Sequence, residues 1–173
     1  MEILIRREEE ADHDAVRALI TAAFNRPDDQ AEAKLVDDLR RGAFHVPELA
    51  LVATVDDAVA GQILFSPLSI RDGEAETGSL ALAPLSVLPA FQRQGVGTRL
   101  VQAGLTRAAE LGFASVIVIG HPAYYRRFGF QDLARWDIRL PEGWEGAPAF
   151  GLELVSGSLA GVHGTLVYAP PFV

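Results

Sequence analysis

Residues 79–120 read SLALAPLSVLPAFQRQGVGTRLVQAGLTRAAELGFASVIVIG, and most of the fold prediction rests on the order of elements within them. The apolar run Leu80–Val87 predicts a strand, and apolar side chains recur with helical period from Val96 to Leu111. A second apolar run, Ala114–Ile119, is typical of a central strand covered on both faces. Strand, helix and strand at this spacing form a βαβ unit, so we expect the two strands to lie parallel.

The flanking sequence contains helical stripes and short β-rich runs. An opening strand is predicted at Ile3–Ile5, and Asp12 is placed to cap the first of two amphipathic helices, which ends at Asn25–Pro27. The elements predicted elsewhere are the strands Leu49–Val55, Ala58–Ile70 and Thr77–Leu88, the short helix Pro122–Phe128, and the strands Phe150–Val155 and His163–Tyr168. The first three of these strands form a meander. Pro67 and Pro84 lack an amide donor, so the sheet is expected to bulge or splay at each.

Composition narrows the class of protein. The chain has 173 residues, a length that one domain accommodates, and fifteen Lys and Arg against twenty-three Asp and Glu give a net charge of −8. This acidity argues against broad contact with nucleic acid or an anionic membrane, and no apolar stretch has the ~20 residues of a membrane-spanning helix. The absence of cysteine excludes disulfides, thiolate zinc sites and cysteine nucleophiles, and it fits a cytoplasmic protein.

The turn QRQGVG, residues 92–97, lies between the first strand and the helix of the βαβ unit. Closely spaced glycines let backbone amides approach a ligand, and these amides meet the unsatisfied N–H groups and positive dipole end of the helix. Residues 77–131 contain five arginines and one glutamate, a net charge of +4, which leaves −12 for the rest of the chain. The turn therefore predicts an anion site, for which a pyrophosphate is the natural ligand.

Other glycine-rich or catalytic sites fit this chain less well. A P-loop requires a lysine before its Ser or Thr, whereas Gly97 precedes Thr98 here. A Rossmann fingerprint requires a third glycine where this chain has Leu100, and its turn starts directly at the strand end. A serine hydrolase would need a Gly-x-Ser-x-Gly elbow, which the sequence lacks. The remaining alternative is that the two glycines only shape a tight turn.

Two motifs in order resemble the GNAT superfamily of N-acetyltransferases. LSVLP (residues 85–89) followed by QRQGVG (residues 92–97) resembles the family's strand and its Gln/Arg-x-x-Gly-x-Gly/Ala loop. YRRFGF (residues 125–130) is similar to the family's Tyr-x-x-x-Gly-Phe segment. The preceding GHPAY (residues 120–124) resembles a bacterial subgroup of predicted acetyltransferases.

This resemblance implies an α/β fold of mixed type, with a GNAT-like, mostly antiparallel, splayed sheet and helices on both faces. A single N-acetyltransferase domain is expected over residues 1–173, with core motifs within 2–131 and C-terminal strands in 132–173. The implied activity is transfer of an acetyl group from acetyl-CoA to a primary amine by direct attack in a ternary complex, without a metal. The alternative is a non-catalytic acyl-CoA-binding or regulatory module.

The resemblance also implies roles for individual residues. Acetyl-CoA would place its pyrophosphate on the loop and its pantetheine arm beside the strand. The residues concerned are Leu85, Ser86, Val87, Gln92, Arg93, Gln94, Gly95, Val96, Gly97 and Thr98. Tyr125 would be the general acid that protonates the departing CoA thiolate; the alternative is that Tyr124 and Tyr125 only pack the short helix. Val118 stands where the family often has an asparagine.

The general base and the acceptor are less defined by the sequence. Glu74, Glu76, His121 and Glu32 are candidate bases, although carboxylates in turns and on helix surfaces are usually only solvated. No histidine is followed by a second metal ligand four residues later, as on one face of a helix, which argues against a metal site. Residues after Gln131, with both tryptophans, are expected to complete the acceptor wall or a subunit contact such as that of a homodimer. Amino acids, polyamines, aminoglycosides and protein amino groups all remain candidate acceptors.

Overall fold

The computed structural model describes residues 1–24 and 31–173. These residues form two compact units, which consist of Met1–Phe65 with Ala83–Arg107 and of Ser66–Leu82 with Ala108–Val173. The predicted end of the first helix at Asn25–Pro27 lies outside the described residues.

The observed elements follow the predicted order. The helices are α1 (His13–Phe24), α2 (Ala31–Arg41), α3 (Val96–Glu110) and α4 (Pro122–Arg126). The strands are β1 (Ile3–Arg7), β2 (Ala50–Val55), β3 (Ala58–Asp72), β4 (Ala75–Val87), β5 (Ser115–Ile119), β6 (Gln131–Asp132), β7 (Asp137–Arg139), β8 (Ala149–Glu153) and β9 (His163–Val167). Strand pairing is mostly antiparallel, so the mixed α/β class is confirmed.

The first unit has the strand order β1-β2-β3-β4. β1 and β2 pair antiparallel from Ile3 opposite Val55. β2 pairs antiparallel with β3, and β3 is the neighbour of β4, so the predicted order of the three meander strands is confirmed. The apolar stripes of the first two helices are buried in large part as their spacing predicts, at Val16, Leu19 and Ile20 of α1 and at Val36 and Leu39 of α2. Ala31, expected in the α2 stripe, is exposed, and Ala33 is buried instead.

Two glycines of the first unit allow α3 to pack directly against β3. A Cβ atom at Gly61 would lie 2.9 Å from Val96 Cγ1 of the helix and 3.2 Å from the carbonyl oxygen of Ser86. A Cβ atom at Gly104 would lie 2.6 Å from Phe65 Cζ. A Cβ atom at either position would overlap a neighbouring side chain, which would have to move to make room, so both positions favour glycine for this packing. No local pattern in the sequence indicates this preference.

The second unit has the strand order β7-β9-β3-β4-β5-β8-β6. β4 and β5 pair in parallel, as the βαβ prediction requires, but their register covers only Leu80 opposite Val116 and Ala81 opposite Ile117. The parallel pairing therefore ends before Pro84. The buried core of this unit consists of Leu68, Ile70, Ala81, Ile117, Leu133, Ile138, Leu159, Leu166 and Tyr168.

Several local predictions were wrong. The Asp12 carboxylate does not cap α1; it accepts hydrogen bonds from Arg6 at 2.7 and 2.9 Å and from the Glu9 N–H at 2.7 Å. Leu111, expected to face inward, is 41% exposed because α3 ends one residue before it. The short helix ends at Arg126 rather than Phe128, and the short strands β6 and β7 were not predicted.

No helix within residues 1–24 and 31–173 is long and apolar enough to cross a membrane.

The contact between Gly104 and Phe65 gives a stability prediction. Gly104→Ala should raise the helix propensity of α3 by about 1 kcal/mol, whereas the overlap with the Phe65 ring should cost about 2 to 3 kcal/mol, because the Cβ atom would lie 2.6 Å from Phe65 Cζ. We expect the free energy of unfolding, measured with urea, to fall by about 1 to 2 kcal/mol. Gln102→Ala on the exposed face of α3 is the matched control and should change it by less than about 0.5 kcal/mol. A Gly104→Ala protein as stable as the control would contradict the packing argument.

Candidate functional site

The predicted anion loop joins β4 to α3 in the first unit. Arg93 and Gly95 adopt φ angles of +62° and +90°, in the left-handed region that glycine favours. The first backbone hydrogen bond of the helix runs from the Arg99 N–H to the Gly95 carbonyl at 3.0 Å. The N–H groups of Val96 and Gly97 precede this bond, so they have no acceptor within the helix and lie at its positive end. The loop thus has the backbone geometry of an anion site.

Both glutamines of the loop hold its shape. Gln92 Nε2 donates to the Val87 carbonyl at 3.0 Å, and Gln94 Nε2 donates to the Ala90 carbonyl at 3.0 Å. The Val96 side chain is buried, so this residue can present only its backbone to a ligand. Of the predicted loop residues, these three therefore support the loop mainly by packing and local hydrogen bonds.

The positive charge of residues 77–131 is only partly available to a ligand. Arg99 Nη2 donates to the Ile3 carbonyl at 3.3 Å. Arg126 pairs with Asp132 at 2.9 Å, one residue beyond the segment, and the Arg127 guanidinium lies 4.7 Å from the centre of the Tyr124 ring. Of the loop's own side chains, only Arg93 is cationic; it is exposed and forms no ion pair or hydrogen bond within the described parts of the chain.

The end of β4 presents backbone groups on two different edges. The Leu88 N–H donates to the Ala60 carbonyl of β3 at 2.8 Å. Because alternate residues of a strand direct their backbone groups to opposite edges, Ser86 shares the β3 edge with Leu88. The N–H and carbonyl groups of Leu85 and Val87 are then directed to the other edge. This is the edge that a ligand could join as an added strand.

The side chain of Ser86 faces the interior. It is 3% exposed, and Gln62 Nε2 donates to its hydroxyl oxygen at 3.0 Å. The same amide donates to the carbonyl of Pro84, whose peptide bond with Ala83 is cis, at 3.2 Å. Because its backbone groups also face β3, Ser86, predicted to bind the cofactor, is placed to support the strand rather than to contact a ligand at the other edge.

Tyr125 lies on α4 in the second unit, with its ring packed directly on Gly120. A Cβ atom at Gly120 would lie 2.5 Å from Tyr125 Cε2. The ring also makes edge contacts with Tyr124 and Phe130, at centroid distances of 5.0 and 5.8 Å. Its hydroxyl forms no hydrogen bond with any part of the chain that the structure describes. Tyr125 is thus firmly held while its hydroxyl stays available as a donor.

Burial sets the protonation state of Tyr125. Desolvation raises the pKa of its phenol to about 12, because the charged phenolate is disfavoured away from water. The nearby Tyr124 contributes in the same direction. At neutral pH the hydroxyl is therefore protonated and can only donate its proton or a hydrogen bond.

The candidate bases are scattered. Glu76, in the second unit, accepts a hydrogen bond from Ser69 Oγ at 2.6 Å. Glu74 is exposed in the turn between β3 and β4, and His121 is exposed just before α4. Glu32 is half-buried on α2 in the first unit. Val118 is buried on β5 and supplies no polar contact in place of the family's asparagine.

Acidic and histidine side chains form pairs rather than larger clusters. His13 Nε2 lies 3.4 Å from Glu8 Oε1, and His163 Nδ1 lies 3.3 Å from Asp137 Oδ2. Outside the undescribed residues 25–30, no three such side chains come together as a metal ion would require.

The C-terminal residues pack on the core of the second unit. Both tryptophans, expected in an acceptor wall or subunit contact, lie partly buried against that core, and the Trp144 ring is 4.8 Å from the ring of Tyr168. The second unit also contains a pocket of about 390 Å³, lined by Pro122, Arg126, Asp132, Leu133, Ala134, Ile138, Leu140, Ala147, Pro148, Ala149 and Phe150. Most of its lining is apolar, and it adjoins the helix that contains Tyr125.

Comparison with known proteins gives consistent matches. Residues 13–130 match the model of the Acetyltransferase (GNAT) family. The uncharacterized N-acetyltransferase YhbS of Escherichia coli K12 is 38% identical over 173 residues, covering 98% of each chain. The crystal structure of E. coli YhbS in complex with CoA has a TM-score of 0.89 at 35% identity and matches 99% of this chain and 92% of that one. A GNAT acetyltransferase from Brucella melitensis, in complex with acetyl-CoA, has a TM-score of 0.80 at 32% identity and matches 99% of both chains.

The high pKa of Tyr125 can be measured by titration. The ultraviolet absorbance of tyrosinate should be followed against pH in the wild type and in Tyr125→Phe, with circular dichroism to verify that both stay folded. We expect the difference between the two curves to rise with a midpoint near 12, because burial disfavours the phenolate. A midpoint near 10, the value of a solvated tyrosine, would show that the ring is not desolvated as described.

Proposed function

The chain belongs to the GNAT family of acetyltransferases, and we propose that it transfers the acetyl group of acetyl-CoA to a primary amine by direct attack in a ternary complex. The observation that carries the proposal is the loop between β4 and α3, where left-handed residues precede the N-terminus of a helix whose first N–H groups point along its positive end. The CoA and acetyl-CoA complexes of the E. coli and Brucella proteins support it.

In this proposal the loop binds the pyrophosphate. The amides of Val96, Gly97 and Thr98 contribute hydrogen bonds at the positive end of α3, and Gly95 allows the ligand to approach the backbone. Arg93 adds a positive charge that the described chain does not neutralise. The supporting contacts of Gln92 and Gln94 keep the loop in this shape without the ligand, which lowers the ordering cost of binding.

The pantetheine arm is assigned to the free edge of β4. The backbone groups of Leu85 and Val87 point to this edge, so they can bond the amides of the arm as a neighbouring strand would. The Val87 carbonyl already accepts from Gln92, whereas its N–H remains directed outward. We assign that N–H to the thioester oxygen, where it stabilises the negative charge that develops as the amine attacks.

The reaction needs no covalent enzyme intermediate. The neutral amine nitrogen attacks the thioester carbonyl carbon, a C–N bond forms, and the C–S bond breaks as the tetrahedral intermediate collapses. The nitrogen loses one proton to a base or to water, and the CoA sulfur gains one proton. The products are an amide and free CoA.

Tyr125 is assigned as the donor to the departing sulfur. Its pKa of about 12 exceeds that of a solvated thiol, near 8.5, so proton transfer to a solvated thiolate would be unfavourable, and the hydroxyl acts first as a hydrogen-bond donor to the negative charge that develops on sulfur. Burial that disfavours the phenolate also disfavours a thiolate in the same surroundings, which brings the two pKa values closer. The phenolate then recovers a proton from solvent, which balances the proton lost by the amine.

Replacing Tyr125 by phenylalanine tests this role. The ring contacts stay and only the hydroxyl is lost, so we expect kcat with acetyl-CoA and a panel of primary amines to fall by a factor of about 10 to 1000. The dissociation constant of CoA, measured by calorimetry, should stay within about threefold of the wild-type value. Tyr124→Phe is the matched control on the same helix, and its kcat should change by less than about threefold.

The other outcomes separate the hypotheses. An unchanged kcat in Tyr125→Phe would contradict the role of this hydroxyl while leaving acetyl transfer intact. Tight CoA binding by the wild type without thioester cleavage in the presence of any amine, thiol or peptide would favour the non-catalytic acyl-CoA-binding module instead.

A further inference from the structure

Gln62 is a buried polar residue that connects β3 to the end of β4. Its side chain is 1% exposed, and its amide nitrogen donates to the Pro84 carbonyl at 3.2 Å and to the Ser86 hydroxyl at 3.0 Å. All three residues belong to the first unit.

Chemistry explains why an amide side chain occupies this position. Proline has no N–H, so the ladder between β3 and β4 loses a donor at Pro84. A buried carbonyl without a partner costs about 1 to 3 kcal/mol, and a glutamine amide can supply two N–H donors from the neighbouring strand. Gln62 thus supplies from its side chain a donor to the buried Pro84 carbonyl and a second one to the Ser86 hydroxyl.

The two acceptors flank Leu85. Because Pro84 and Ser86 are both fixed from the β3 side, the peptide groups of Leu85 between them are fixed as well, and they point to the opposite edge of the strand. That edge is the one assigned above to the pantetheine arm. The orientation of the cofactor-binding edge thus depends on a residue that is itself buried and distant in sequence.

We propose that Gln62 is a positioning residue for acetyl-CoA: it orients the backbone of β4 for binding without touching the ligand. The inference rests on the proposed function. A purely structural role would lower the stability of the protein when Gln62 is replaced and leave the affinity for CoA unchanged. A positioning role raises the KM for acetyl-CoA and the dissociation constant of CoA together, at nearly constant kcat.

The experiment compares three variants with the wild type. Gln62→Met keeps the length and approximate volume of the side chain and removes both hydrogen bonds; we expect KM and the dissociation constant to rise about tenfold, with kcat within about threefold. Ser86→Ala removes one of the two bonds and should raise both constants by about threefold. Ser115→Ala is the matched control, because it removes a buried hydrogen bond of 2.7 Å between the hydroxyl groups of Ser115 and Ser79 in the second unit. It should lower the melting temperature and leave both constants unchanged.

The outcomes are distinguishable. If Gln62→Met binds CoA as the wild type does, the inference is overturned while the proposed function stands. If Gln62→Met does not fold, Ser86→Ala decides: unchanged constants in that variant overturn the inference, and a rise that Ser115→Ala does not share supports it. A wild type that binds no CoA overturns the proposed function and the inference with it.

Discussion

The packing of α3 on β3 is the constraint on which the candidate binding loop depends. Gly61 lies where the Val96 side chain of the helix and the Ser86 carbonyl of β4 both approach β3. A single Cβ atom at Gly61 would contact both neighbours. Because glycine has no Cβ atom, the Ser86 carbonyl before the loop and Val96 after it can both lie close to β3. The loop is therefore held by its anchors, and its amides keep their direction without help from a ligand.

β4 combines two kinds of hydrogen bonding in one strand. Its first part pairs in parallel with β5 for two residue pairs, as a strand of the core. Its last part receives hydrogen bonds from a buried side chain on one side and offers backbone groups on the other. A fully paired strand would have no groups left for a ligand, whereas an unpaired one would lose its orientation. Proline at position 84 and glutamine at position 62 together avoid both outcomes.

Helices and strands with a strong hydrophobic periodicity were predicted correctly from the sequence. Residues whose roles depend on tertiary contacts were not. The βαβ unit, the meander and the stripes of α1 and α2 follow from patterns that a few consecutive residues contain. Gly61, Gly104 and Gln62 have no such local signal, because their requirement comes from residues far along the chain. The anion loop was predicted from its glycines and its place before a helix, and the role proposed for Tyr125 came from motif resemblance. The supporting contacts of Gln92 and Gln94 emerged only with the structure. The charge count of +4 overstated the free charge, since Arg126 is paired with a carboxylate just outside the counted segment.

Protonation of Tyr125 follows from packing alone, which has a consequence for the proposed mechanism. Gly120 lets the ring lie directly against the backbone, and the resulting desolvation, with a smaller contribution from Tyr124, raises the pKa of the phenol. An acid kept neutral in this way does not depend on a counter-ion that a ligand could displace. A histidinium in the same role would titrate near neutral pH, whereas tyrosine keeps its proton over the whole range in which the acceptor amine loses its own.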